Sequence, residues 1–145
     1  MLAEAVDTER ANEARLRRFV DEVLNTGNVD AADEFIAADL VDHSLPPDVP
    51  GTLDGFKEWF SMFHAAFPDA RWEIGVLLSR GNLVAREQSV RATHLGEYAG
   101  IAPTGRAVTT SEVGIVRFRD GRMEEFWGVL DEARLMHELS DGASP

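Results

Sequence analysis

The sequence has no cysteine, which excludes disulfides, thiolate nucleophiles and Cys-ligated zinc or iron–sulfur centres. It has one lysine, Lys57, so Schiff-base chemistry has a single candidate, and one tyrosine, Tyr98. No stretch approaches the roughly 18 apolar residues of a membrane span. The opening MLAEAVDTER carries acids where a signal peptide needs a basic end and an apolar run. A cytoplasmic protein is the expectation. Basic residues are few: 14 Lys and Arg against 26 Asp and Glu leave a formal charge of −12. That balance disfavours nucleic acid, whose phosphates need neutralising cations, and anionic membrane surfaces alike. The four histidines show no His-x-x-x-His spacing, so no metal site is expected. There is no Gly-x-Ser-x-Gly elbow and no phosphate loop. Gly96-Glu97-Tyr98-Ala99-Gly100 precedes no Rossmann helix and is no dinucleotide fingerprint.

What is present is a chain of 145 residues and 44% hydrophobic content, enough for one domain with a sizeable core. We read residues 1–145 as one domain, with its core at about 8–139 and short flexible tails. Leu16, Phe19, Val20, Val23 and Leu24 make an apolar stripe at helical spacing, with Thr8 as a cap and Gly27 as a stop. A short helix follows, with Asp30 as its cap and Ala32, Phe35 and Ile36 on its buried face. Three of the six prolines fall in residues 40–52, which predicts a loop. Thr52 then opens a third helix carrying Phe56, Phe60, Phe63 and Phe67 on one stripe, ended by Pro68.

After Pro68 the period changes from 3.6 to 2. Trp72, Ile74, Val76 and Leu78 alternate with Arg71, Glu73, Gly75 and Leu77. Strands follow from Leu83 to about His94, from Val108 to Phe118 and from Arg122 to about Leu130. Gly81-Asn82 and Asp120-Gly121 mark hairpin turns. A last helix begins near Asp131. Helices first and strands after predict an α+β fold, with helices on one face of a curved, antiparallel or mixed sheet. A sheet that closes over helices leaves a cone with an apolar mouth, a usual place for small ligands.

Several stretches resemble one family in order and spacing. They are Asn25–Asp30, Val41-Asp42-His43, Phe67-Pro68-Asp69, Thr93–Glu97, Gly100–Arg106, and Asp120–Trp127 followed by Asp131. Over about residues 10–139 the chain resembles the SnoaL-like polyketide cyclases, or ester cyclases, of the nuclear-transport-factor-2-like superfamily. The resemblance implies a cone-shaped α+β barrel, a homodimer packed through the outer sheet face, and a pocket that uses no metal or organic cofactor. It also implies ring closure by intramolecular aldol condensation with a carboxylic acid as acid/base. Superfamily relatives isomerise ketosteroids, open epoxides or dehydrate small molecules, so the fold does not choose the reaction.

Two carboxylates lead as acid/base candidates. Strand parity puts Met123, Glu125, Trp127, Val129 and Asp131 on one face. If Met123 and Trp127 face the cone, Asp131 stands at its inner end; alternatively it is the N-cap of the last helix. Glu112 shares a face with Thr110 and Gly114. It is either a desolvated base inside the cone or a solvated charge on the outer surface. In the aldol cyclases the catalytic Asp falls three residues before Asp131, and here that position is Gly128. Either Asp131 or Glu112 replaces that acid, or the reaction differs.

His43, beside Asp42, is a further proton-transfer candidate or a structural histidine. His94 and Tyr98 are candidate hydrogen-bonding groups of the pocket, His94 having a loop-anchoring alternative. Trp59, Phe63, Trp127 and Met123 are candidate apolar walls. The expected function is an enzyme without cofactor that acts on a hydrophobic, polyketide- or terpenoid-like molecule. Its chemistry would be proton transfer leading to cyclisation, isomerisation or elimination. Two alternatives stand beside it. One is epoxide opening, with Arg86 or Arg91 between two carboxylates. The other is a noncatalytic module binding a hydrophobic ligand or a protein.

Overall fold

Helix α1 (Leu2–Phe19) begins six residues before the expected Thr8 cap, in a computed structural model that describes residues 2–141. The remaining parts of the expected tails, Met1 and residues 142–145, lie outside the described residues. After Phe19 the helix widens into one π-helical turn, Val20–Leu24. The chain reverses at Gly27, whose φ of 73° suits glycine. The expected stripe is buried in full: Leu16, Phe19, Val20, Val23 and Leu24 are all 7% exposed or less.

The next segment departs from expectation. A 3₁₀ helix spans Val29–Glu34. Ile36 is not on a helix face but opens a strand, β1 (Ile36–Asp42). Helix α2 (Leu53–Ala66) starts where its cap predicts: Thr52 Oγ1 accepts the Gly55 amide at 3.1 Å. Its Phe56, Phe60 and Phe63, continued by Phe67, lie in the core. Strands β2 (Arg71–Arg80), β3 (Leu83–Thr93), β4 (Ala107–Arg119) and β5 (Arg122–Leu130) form an antiparallel meander, and α3 (Glu132–Asp141) follows. The Asp120-Gly121 turn has both φ angles positive, 51° and 78°, as a two-residue hairpin requires.

The sheet order is β1-β5-β4-β3-β2, with β1 parallel to β5 and every other pair antiparallel. The architecture is the expected α+β arrangement of helices against a curved mixed sheet. The pairing shifts register at β1, β2 and β5, and the shifts on β2 and β5 change which side chains face inward. On β2 the pairing shifts between Ile74 and Val76, at Gly75. Trp72 and Ile74 therefore pack on the core, but so does Leu77, whereas Val76 and Leu78 are turned outward. On β5 the partner of Phe118 is Met123 and the partner of Arg117 is Glu125, so Glu124 is an extra residue. Met123 is inside at 1% exposure, and past the bulge the parity changes sides: Val129 is 74% exposed. The outer sheet face thus presents Val76, Leu78, Val113, Ile115 and Val129, all exposed.

Candidate functional site

Between the inner sheet face and α1 and α2 lies a cavity of about 570 Å³. Its apolar wall includes Phe19, Phe56, Trp59, Phe63, Trp72 and Phe126. Trp59 and Phe63 are there as expected, stacked on each other with centroids 5.2 Å apart, and Met123 also lines the cavity. Among the described residues, the ionisable side chains in the cavity lining besides Tyr98 are Asp42, Arg86, Glu112 and Glu132.

Glu112 lines the cavity and is not a solvated charge on the outer sheet face. β4 pairs it with Gln88 on one side and Leu130 on the other. Its Oε1 accepts from Arg86 Nη2 at 2.8 Å and from Gln88 Nε2 at 2.6 Å. The ion pair is mostly dry, with side chains 14% and 20% exposed for Arg86 and Glu112. Arg86 Nη1 and Gln88 Oε1 are buried with no protein partner among the described residues. Arg86 lies across Gly114, where an added Cβ would stand 2.5 Å from Nη1. A residue with any side chain there would displace the guanidinium.

Asp42, which the sequence marks only as the neighbour of His43, is a further candidate site residue. It ends β1, is 6% exposed and lines the cavity. Its Oδ1 accepts from the Ser44 amide at 2.8 Å and from the Ser44 hydroxyl. Burial pushes its pKa above the ordinary 3.8. The Ser44 bonds oppose that shift, the negative charge of Glu112 adds to it, and His43 opposes it weakly. A carboxyl so placed is suited to exchange a proton closer to neutral pH than a solvated one.

His43 is consequently on the other side of β1 and does not line the cavity. Its side chain is 44% exposed, its Nε2 lies 2.7 Å from Glu125 Oε2, and its ring stacks on Trp127 at 5.3 Å. Arg117 also lies over that indole, 5.4 Å from the ring centroid. Trp127 borders the cavity, but its indole belongs to this outer cluster because the bulge at Glu124 reversed the parity assumed for β5. The expected grouping of Met123 with Trp127 on one face is corrected for that reason.

Asp131 also falls outside the cavity, and the expectation of an inward carboxyl there is corrected. It is exposed, and its Oδ1 accepts the Arg134 amide at 3.1 Å, an N-cap of α3. His94 is fully buried but does not reach the lining. Its Nδ1 accepts the Thr104 amide at 3.2 Å and its ring packs on Phe67, which ties down the loop after β3. Tyr98 does line the cavity, on a tight turn with Ala99 at φ 50° and Gly100 at φ 80°. Its hydroxyl donates to Glu132 at 3.0 Å; burial first, then that carboxylate, push its pKa far up, so it stays protonated. Among the described residues, no three His, Asp or Glu side chains converge to hold a metal ion.

Comparison with known proteins gives the arrangement a context. A family model described as SnoaL-like polyketide cyclase matches residues 14–139. A candidate polyketide cyclase from Acidithiobacillus ferrooxidans is similar at 28% identity and a TM-score of 0.83, over 92% of this chain and 96% of that one. AclR from Streptomyces galilaeus, a candidate hydroxylase, is similar at 27% identity and a TM-score of 0.82, over 90% of this chain and 82% of that one. IdmH from Streptomyces antibioticus, a candidate polyketide cyclase, shares 29% identity at a TM-score of 0.79, over 88% of this chain and 97% of that one. No curated protein matches the chain. With the fold, the cavity and a model match from residue 14 to residue 139 in agreement, the chain belongs to the SnoaL-like polyketide cyclase family.

Proposed function

We propose that the protein is a cofactor-independent enzyme that moves protons on a hydrophobic, polyketide- or terpenoid-like small molecule, with Asp42 as the acid/base. The observation that carries this reading is a carboxyl 6% exposed at the edge of an aromatic-walled cavity, its pKa raised by burial and by a second carboxylate. In this scheme ionised Asp42 takes a proton from a carbon beside a carbonyl. The charge that develops on the carbonyl oxygen is stabilised by Arg86, which Glu112 holds in place. The carbon then attacks a second carbonyl, is reprotonated elsewhere, or expels a leaving group. Protonated Asp42 returns the proton to the oxygen or carbon that needs it. Asp131 and His43 have no part in this chemistry, because neither borders the cavity.

In this proposal Asp42 takes the place of the carboxyl that aldol cyclases are expected to carry at residue 128. A Cβ built on Gly128 would lie 3.7 Å from the Ser44 Cβ, and Ser44 is the residue that holds Asp42. Asp42 thus brings an acid from β1 close to the space that a side chain from β5 would fill. The test is turnover on a panel of polyketide, steroid and epoxide compounds first ranked by thermal shift. Asp42→Asn should lower turnover by about 10²–10⁴; full activity in that variant refutes the scheme.

Epoxide opening is a second reading, favoured by Arg86 standing in one cavity with Glu112 and Asp42. Oxygen-18 from solvent water in the product would select it over cyclisation. A purely noncatalytic module would gain if turnover were undetectable across the panel while binding persisted. We further propose a homodimer packed through the outer sheet face, on the exposed apolar row Val76, Leu78, Val113, Ile115 and Val129.

A further inference from the structure

Gly114 and Gly128 are partners across β4 and β5 on the inner sheet face, but they are glycines for different reasons. Gly114 has no room: an added Cβ would lie 2.5 Å from both Arg86 Nη1 and the Trp127 carbonyl oxygen. Gly128 has room. An added Cβ would find its nearest atoms at 3.6, 3.7 and 3.9 Å, all ordinary contacts, and its φ is not in the left-handed region. Neither sterics nor backbone conformation requires glycine there. Glycine inside a strand is also unfavourable, costing roughly 0.5–1 kcal/mol against alanine. What the missing side chain does provide is cavity: Gly128 lines it, flanked in space by Arg86 across Gly114 and by Ser44.

We propose that Gly128 is the specificity-determining residue of this cavity. Its bare backbone is the floor on which one edge of a flat, fused-ring substrate rests, between Arg86 and the Asp42–Ser44 pair. A flat ring lies in van der Waals contact with a strand that has no Cβ, and any side chain at 128 takes that layer away. The ring edge is thereby held beside the two groups assigned to proton transfer and charge stabilisation. The proposal rests on the hydrophobic-substrate reading but not on the identity of the base.

The experiment measures binding of 1-naphthol (two fused rings) and 1-hydroxyanthraquinone (three fused rings) by quenching of tryptophan fluorescence. Wild type, Gly128→Ala, Gly128→Val and Asp42→Asn are compared, each with a thermal melt. The expected result is that Gly128→Ala melts no lower than wild type yet binds the three-ring probe several-fold more weakly. Gly128→Val should bind it about 10-fold or more weakly, the scale of overpacking a filled site. The two-ring probe should change less than about 3-fold, since it can sit against the aromatic wall without reaching the floor. Equal losses on both probes, no loss on either, or no binding of the three-ring probe to wild type overturns the proposal. So does a Gly128→Ala melt well below wild type, which would make the glycine structural. Gly128→Ala carries the test if Gly128→Val does not fold. Failure of the acid/base scheme shows in the turnover of Asp42→Asn, and failure of the floor shows in the ring-size selectivity of the Gly128 variants.

Discussion

Replacing Asp131 separates a helix cap from a catalyst. The residue is held by four bonds with different owners. Its amide donates to the Ser111 carbonyl at 2.8 Å, its carbonyl accepts from Thr110 Oγ1 at 2.8 Å and from the Leu135 amide at 3.2 Å, and its Oδ1 accepts the Arg134 amide at 3.1 Å. Asp131→Ala removes only the last. One capping bond contributes about 1 kcal/mol. The loss reaches the whole fold because α3 is anchored by Leu135 and Leu139, each 1% exposed. For a chain of this length that corresponds to a drop in Tm of about 3 °C. Asparagine and serine cap as well as aspartate, so Asp131→Asn and Asp131→Ser should melt within about 1 °C of wild type. The assay is thermal unfolding of the three variants alongside their turnover on whichever panel compound wild type converts. All three should retain turnover within about 2-fold, since the side chain touches nothing in the cavity. An Asp131→Asn protein that melts like wild type but loses about 100-fold or more of its turnover would refute the argument.

Further outcomes follow from the same geometry. The Asp42 pKa is raised on folding, so the folded state holds this proton more tightly than the unfolded chain. Its contribution is therefore fully present below the ordinary value of 3.8 and is lost as pH rises through the folded pKa. Asp42→Asn should remove that loss, so its stability relative to wild type, measured by urea unfolding, should increase from pH 4 to pH 7. Arg86→Met strips Glu112 of its cation in a mostly dry site and should cost roughly 2–4 kcal/mol in the same assay, most of it recovered in Arg86→Met/Glu112→Leu. Val129→Glu places charge on the outer sheet face and should shift the protein from dimer to monomer in sedimentation at unchanged secondary structure. A monomeric wild type would count against the proposed interface.

Local patterns were legible wherever one element sets its own geometry. The Phe56–Phe60–Phe63–Phe67 stripe, the Thr52 cap and the Asp120-Gly121 hairpin all follow from contacts within a few residues, and all stand as read. β1 was not legible. It is a parallel edge strand whose bonds go to β5, more than eighty residues away, and it runs directly into a proline-rich loop. Without β1 there is no reason to bury Asp42, so the sequence offers Asp131 and Glu112 as the carboxyl candidates, and of these only Glu112 lines the cavity.

Sequence alone determined α1, α2 and the four-strand run β2–β5 after them, pointed to Trp59 and Phe63 as cavity walls, and excluded thiol chemistry. Those depend on residue type and on periods of 3.6 and 2, which are local. Tertiary structure decided which carboxylate is dry. The bulge at Glu124 turned Trp127 outward, the Arg86–Glu112–Gln88 contacts fixed Glu112 inside, and β1 docking on β5 put Asp42 in the cavity and His43 outside it. One residue inserted in a strand exchanges its two faces from that point on. Where that insertion falls is set by pairing between distant segments, and a strand's own alternation does not carry it.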